Sequence, residues 1–90
     1  MHELGIAESI VRAVVAEATS RGAERVRAVD LEIASREGLR SEVVAAAFRL
    51  AAQGTVAEGA LLRVRFLPET GDRSPTGWTI RSATMILRDP

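Results

Sequence analysis

Residues 25–34, RVRAVDLEIA, decide the fold of this 90-residue chain. The apolar side chains at alternate positions are Val29, Leu31 and Ile33. The acids Asp30 and Glu32 stand between them. Because successive side chains of a β-strand point to opposite faces, this alternation predicts a strand that buries one face and exposes the other.

Apolar residues at helical spacing occur in the sequence both before and after this strand. Before it, apolar residues between positions 4 and 21 recur every three or four residues, which predicts an amphipathic helix that ends at Gly22. After it, the same spacing returns and stops near Gly54, which predicts a second helix. The apolar stripe of this second helix is predicted to comprise Leu39, Val43, Ala46, Ala47, Leu50 and Ala51.

Two further strands are predicted near the end of the chain. In residues 60–69, ALLRVRFLPE, the apolar residues Leu62, Val64 and Phe66 alternate with arginines. In residues 78–87, WTIRSATMIL, the alternation changes phase, so a bulge near Arg81 or Ser82 is needed to bring all five apolar residues to the core. Those five residues are Trp78, Ile80, Ala83, Met85 and Leu87.

The order of elements is α-β-α-β-β, which predicts one α+β domain over residues 1–90. A right-handed crossover makes the first two strands parallel. Residues 70–77, TGDRSPTG, have turn composition and predict a hairpin loop that places the last two strands side by side and antiparallel. We therefore expect a three-stranded mixed sheet with both helices on one face.

Composition excludes several classes of function. Twelve basic and twelve acidic residues cancel without forming long runs, which disfavours nucleic acid and membrane surfaces as partners. The chain has no cysteine, so a disulfide, a thiolate zinc site and a thiol nucleophile are excluded. Without an export signal or a long apolar segment, the expected location is the cytoplasm.

Catalytic groups are scarce. No glycine-rich phosphate loop follows a strand, and the serines have no local base. The pair Asp30 and Glu32 is the one arrangement that suggests acid–base chemistry. Arg63, Arg65 and Arg81 are predicted to neutralise that pair on a solvated sheet face, so we expect a protein that is not an enzyme.

The amino terminus carries the most specific chemistry. The Met1 amine, the backbone nitrogen of His2 and its imidazole can close adjacent chelate rings around one ion, and this nitrogen-rich set suits square-planar Ni(II) or Cu(II). Such binding needs a deprotonated amine and imidazole, so affinity should rise with pH. The alternative is a solvated terminal histidine beside Glu3, whose charge favours the start of the helix.

The sequence resembles the HypA family of nickel metallochaperones, which help to mature nickel-iron hydrogenases and, in some organisms, urease. The resemblance rests on MHELGIAESI at the start, RGAERVRAVDLEI, EVVAAAFRLAAQGTVAEGALLRV and GWTIRSATMIL, in that order. It implies a site for Ni(II) at Met1, His2 and Glu3. It also implies delivery to a hydrogenase-maturation GTPase (HypB-like) and to the hydrogenase large subunit.

One departure from the family is large. HypA proteins normally carry a zinc-binding insertion with two Cys-x-x-Cys pairs between the last two strands, and a short loop at about 70–77 stands in its place here. We therefore expect no zinc. An interaction or regulatory module that has lost metal delivery stays open as an alternative function, and the free sheet edges also allow a homodimer.

Overall fold

The computed structural model describes residues 2–34, 39–68 and 77–89, with the side chains of residues 2 and 3 excepted. It contains two helices and three strands in the predicted α-β-α-β-β order, which confirms the α+β class. The elements are α1 (His2–Ser20), β1 (Ala23–Ala34), α2 (Ser41–Ala51), β2 (Leu61–Leu67) and β3 (Trp78–Leu87). Gly22 follows α1 with a φ of 68°, the left-handed conformation predicted for the end of this helix.

The sheet has β1 at its centre, in the order β2-β1-β3. β1 pairs with β2 in parallel and with β3 in an antiparallel ladder. The predicted hairpin is therefore wrong: β2 and β3 run in opposite directions but lie on opposite edges. The ten residues between Leu67 and Trp78 can pass the end of β1, since two strand spacings amount to only about 10 Å. Residues 70–76 of the predicted loop lie outside the described residues.

The predicted bulge in β3 is confirmed. Asp30 pairs with Ser82, and the next residue of β1, Leu31, pairs with Ile80, so Arg81 is the extra residue. The bulge brings four of the five expected residues of β3 against the core: Trp78, Ile80, Ala83 and Met85. Leu87 is exposed, contrary to the prediction. Two further register shifts in the pairing of β1 with β3 lie between Leu87 and the bulge at Arg81. Because such irregularities bend a strand, the alternation predicted for β3 does not extend to Leu87.

Both helices pack on one face of the sheet and form a single hydrophobic core. α1 contributes a buried stripe at three- and four-residue spacing, made of Ala7, Ile10, Val11, Val14 and Ala18. β1 contributes its predicted inward set of Val29, Leu31 and Ile33, together with Val26. The small side chains of α1 allow close packing, and each fully buried valine, leucine or isoleucine contributes about 1.5–3 kcal/mol.

The buried face of α2 agrees with the prediction only in part, since Leu39, Ala47 and Ala51 of the predicted stripe pack against the core. Val44 and Phe48 point into the core, whereas Val43 and Leu50 of the predicted stripe are exposed. Val44, Phe48 and the following Ala52 are also spaced four residues apart, so spacing alone does not distinguish the two stripes. Burial of the large Phe48 ring gains more free energy than burial of Val43, and this selects the observed rotation of the helix.

Candidate metal centre

Two of the three residues predicted to bind metal, His2 and Glu3, lie at the first turn of α1. The helix begins at His2, and the backbones of His2 and Glu3 are helical. Met1 and the side chains of His2 and Glu3 lie outside the described residues. The first N–H groups of an α-helix have no partner within the helix, so backbone nitrogens at this end are available to a ligand.

The core anchors this end of α1 from one side. Ala7 and Ile10 are completely buried, while Leu4 and Ile6 are half-buried beside them. Among the described side chains, the contact of α1 with the core therefore begins within its first two turns. Gly5 is exposed, and a Cβ at this position would meet no atom within 4 Å, so packing does not explain the glycine.

A short polar chain runs along the next turn of α1. The Ser9 hydroxyl donates a hydrogen bond to the Gly5 carbonyl at 3.1 Å, and the Arg12 guanidinium donates to the Ser9 oxygen at 3.3 Å. Within the described residues, no three side chains of histidine, cysteine, aspartate or glutamate lie together in a group suited to a metal ion.

The paired acids of β1 form an ion-pair network on the sheet face that the helices leave uncovered. Asp30 accepts hydrogen bonds from Arg63 Nε at 2.6 Å and Arg63 Nη2 at 2.9 Å. The Ser82 hydroxyl donates a third bond at 2.8 Å. These contacts, led by the hydrogen bonds from Arg63, lower the pKa of Asp30 to about 2, and the side chain remains 36% exposed.

Glu32 lies between two further arginines. Its carboxylate is 3.9 Å from Arg65 Nη1 and 3.7 Å from Arg81 Nε. The predicted neutralisation of the acid pair is therefore confirmed. Ser82 is the partner that sequence reasoning missed, because the predicted hairpin placed β3 beside β2, whereas β3 pairs with β1. The Asp30 carboxylate, whose pKa is lowered by Arg63, is poorly suited to act as a general base near neutral pH.

The segment GTVAEGA, which contributed to the family resemblance, is a tightly bonded loop between α2 and β2. Gly54 and Gly59 have φ values of 80°, which glycine adopts at no steric cost. The Thr55 hydroxyl donates to the Ala52 carbonyl at 2.7 Å and accepts from the Ala57 N–H at 3.0 Å. Glu58 accepts from the Gly54 N–H at 2.7 Å. The motif therefore fixes a turn, and these contacts do not form a binding site.

The loop is also tied to the start of the sheet. The Val26 N–H of β1 donates to the Val56 carbonyl at 2.9 Å, and Ala57 is completely buried. These contacts attach the connection between α2 and β2 to the core. The spacing of this motif relative to β1 thus reflects packing of the parallel β-α-β unit.

Comparison with known families gives a match over most of the chain. A family described as "Hydrogenase/urease nickel incorporation, metallochaperone, hypA" matches residues 1–72. The chain belongs to the HypA family. The HypA match covers α1, β1, α2 and β2 and stops before β3.

Individual HypA proteins differ in their identity to this chain and in the share of their length that it matches. A hydrogenase maturation factor HypA from Chlorobium phaeobacteroides is 40% identical over 77 residues, covering 86% of this chain and 68% of the relative. The HypA of Pelodictyon phaeoclathratiforme is 45% identical over 64 residues, 71% of this chain and 55% of the relative. One from Dehalococcoides mccartyi is 34% identical over all 90 residues and 76% of its own length. The chain thus spans little more than half the length of some HypA relatives.

Solved HypA structures share the fold. The solution structure of the Ni metallochaperone HypA from Helicobacter pylori has a TM-score of 0.66 at 15% identity, covering 90% of this chain and 97% of that one. A second HypA solution structure has a TM-score of 0.64 at 15% identity, covering 96% and 92%. None of the helices described here is long and apolar enough to cross a membrane.

Proposed function

We propose that this chain carries Ni(II) as cargo during maturation of nickel-iron hydrogenase and binds it at Met1, His2 and Glu3. The observation that supports this most strongly is the sequence Met-His-Glu at the start of a chain that belongs to a nickel metallochaperone family. His2 is the sole histidine in the 90 residues, so it is the one imidazole donor that the sequence offers.

The helical start of α1 supports the proposed donor set. Binding through a backbone nitrogen requires that the amide lose its proton, and the N–H groups of the first turn have no intrahelical bond to lose. The positive end of the helix dipole also favours the resulting negative charge. The Met1 amine, the His2 backbone nitrogen and the imidazole then supply three donors of a square plane, and Glu3 shapes the site.

We propose that nickel passes from this site to a HypB-like maturation GTPase and to the hydrogenase large subunit in the cytoplasm. The chain acts as a carrier in this step and catalyses no reaction. It does so without zinc, since a structural zinc site needs four nitrogen or sulfur ligands and the sequence contains no cysteine.

The test is a nickel titration of protein with a native, free Met1 amine, followed by calorimetry and ultraviolet absorption. We expect one equivalent of Ni(II), a square-planar absorption band, and tighter binding as the pH rises. His2→Ala should abolish the band. Acetylation of the Met1 amine should do the same, because it converts the terminal amine into an amide.

Glu8 provides a matched control for Glu3. Both acids belong to α1, and Glu8 is exposed one turn further along the helix. Glu3→Gln should alter nickel affinity or transfer to the GTPase, whereas Glu8→Gln should alter neither. Equal, weak binding by the wild type and His2→Ala would contradict the proposal. Partner binding that is indifferent to nickel and to His2 would instead favour an interaction module that has lost metal delivery.

A further inference from the structure

The outer face of α2 carries apolar side chains that the fold does not bury. Val43 is 40% exposed and Leu50 is 59% exposed. Ala46 is exposed between them, at spacings of three and four residues. We call Val43, Ala46 and Leu50 the outer stripe of α2. Residues at this spacing lie on one side of a helix and are typical of a seam that contacts another helix.

Two opposite charges border the outer stripe on the same flank. Glu42 immediately precedes Val43, and Arg49 immediately precedes Leu50. They are seven residues apart, which is two helical turns, so they lie almost in line along the helix. Glu42 has an exposed ion pair with Arg40 at 2.8 Å. Arg49 has no ion pair with any residue in the described part of the chain.

We propose that α2 is a self-complementary docking surface on which a second copy of this chain places its own α2, antiparallel to the first. In this register Val43 lies opposite Ala46 of the second copy. Glu42 then lies opposite Arg49 of the second copy, and twofold symmetry repeats both contacts. Charges that border an apolar seam set the partner and the orientation of paired helices.

The charge pattern favours this orientation over a parallel one. In a parallel pair, the side of one helix that carries Glu42 and Arg49 faces the other side of the second helix, which carries Ala47. No pair of opposite charges forms there. In the antiparallel pair, both charged residues of each copy find a partner, and the small side chain of Ala46 allows the helix axes to approach closely.

The size of the surface indicates a weak and reversible dimer. α2 has 11 residues, a length of about 16 Å. Its outer stripe is much smaller than the roughly 800 Å² per partner of a standard stable interface. Self-association should therefore appear at high protein concentration and weaken with salt, which screens exposed ion pairs.

Sedimentation velocity over a range of concentrations tests the proposal through charge reversal. In a dimer with twofold symmetry, Glu42→Arg places two pairs of like charges together, and so does Arg49→Glu. Each single variant should weaken dimerisation about tenfold. The double variant E42R/R49E restores opposite charges across the interface and should recover the wild-type dissociation constant to within about twofold. Circular dichroism of each variant shows whether α2 remains folded.

A matched apolar pair provides the control. Val43→Gln should abolish dimerisation because Val43 lies at the centre of the proposed contact, whereas Leu61→Gln should leave it unchanged, since Leu61 is 56% exposed but belongs to β2. A wild-type protein that stays monomeric at every concentration would overturn the proposal. So would a double variant that dimerises no better than the single ones, because that result would exclude the antiparallel pairing of Glu42 with Arg49.

Discussion

Asp30 on β1 lies directly opposite Arg63 on β2, and two hydrogen bonds of 2.6 and 2.9 Å join the side chains across the parallel register. Ser82 on β3 bonds the same carboxylate from the other side at 2.8 Å. One acid of the central strand thus links all three strands on the face of the sheet that lacks helices. Because the contacts are specific to the ionised carboxylate, they make the stability of the sheet depend on pH.

Asp30→Asn should flatten that dependence. The pKa of Asp30 is about 2 in the folded protein and lies below its ordinary value of 3.8. Its contribution to stability is therefore fully present above about pH 4 and is lost as the pH falls towards 2. The free energy of unfolding in urea, measured between pH 2 and 7, should fall less steeply with acid in the variant. Ser82→Ala should give an intermediate slope, and parallel profiles for all three proteins would contradict this account.

Gly5→Ala should stabilise the protein by about 0.5–1 kcal/mol, because alanine is the better helix former and its Cβ would meet open space. Gly54→Ala is the matched control. A Cβ at Gly54 also meets open space, but the φ of 80° is strained for alanine, so this variant should be destabilised. Urea denaturation measures both changes. Destabilisation of Gly5→Ala would show that the first turn of α1 has a constraint beyond helix propensity.

The rotation of α2 predicts unequal effects of truncating its apolar residues. Phe48→Ala should cost about 3–5 kcal/mol, since the ring is buried and its loss leaves a cavity. Leu50→Ala should change the free energy of unfolding by about 0.5 kcal/mol or less. Thermal or urea unfolding at low protein concentration separates the two. Similar losses for both variants would mean that α2 packs with a different face towards the sheet.

Thr55→Val should destabilise the loop between α2 and β2 by about 1–2 kcal/mol, because the valine can neither donate to Ala52 nor accept from Ala57. Thr55→Ser retains the hydroxyl and should restore most of the stability. Thr19→Val removes an exposed hydroxyl that bonds within α1 at 2.9 Å, and its effect should be smaller. Hydrogen exchange at the Ala57 amide provides a local measurement, and unchanged protection in Thr55→Val would argue against this role.

The alternation in β1 made the inward set of that strand predictable, because period two leaves one assignment of residues to faces once one face is apolar. The bulge at Arg81 was predictable for the same reason, since a change of phase within a strand requires one extra residue. The ion pairs around Asp30 and Glu32 were predictable because the two acids and the arginines Arg63 and Arg65 have the same two-residue spacing along their strands.

Two features of the fold needed the structure. Apolar residues surround much of α2, so its spacing allowed two buried stripes, and the size of Phe48 decided between them. A loop of ten residues is long enough either to form a hairpin or to pass the end of one strand, so composition could not distinguish adjacent from separated strands. The nickel ligands Met1, His2 and Glu3 stay a prediction from sequence and family.

The central place of β1 in the sheet has a consequence for biosynthesis. β1 leaves the ribosome before β2, and its antiparallel partner, β3, leaves after both. Until β3 emerges, only Ala28–Ala34 of the twelve residues of β1 have strand partners, and these lie on one side, in β2. An open central strand is a template for wrong pairing, and contacts between distant parts of a chain form slowly. The nascent protein should therefore depend on chaperone protection until β3 is complete.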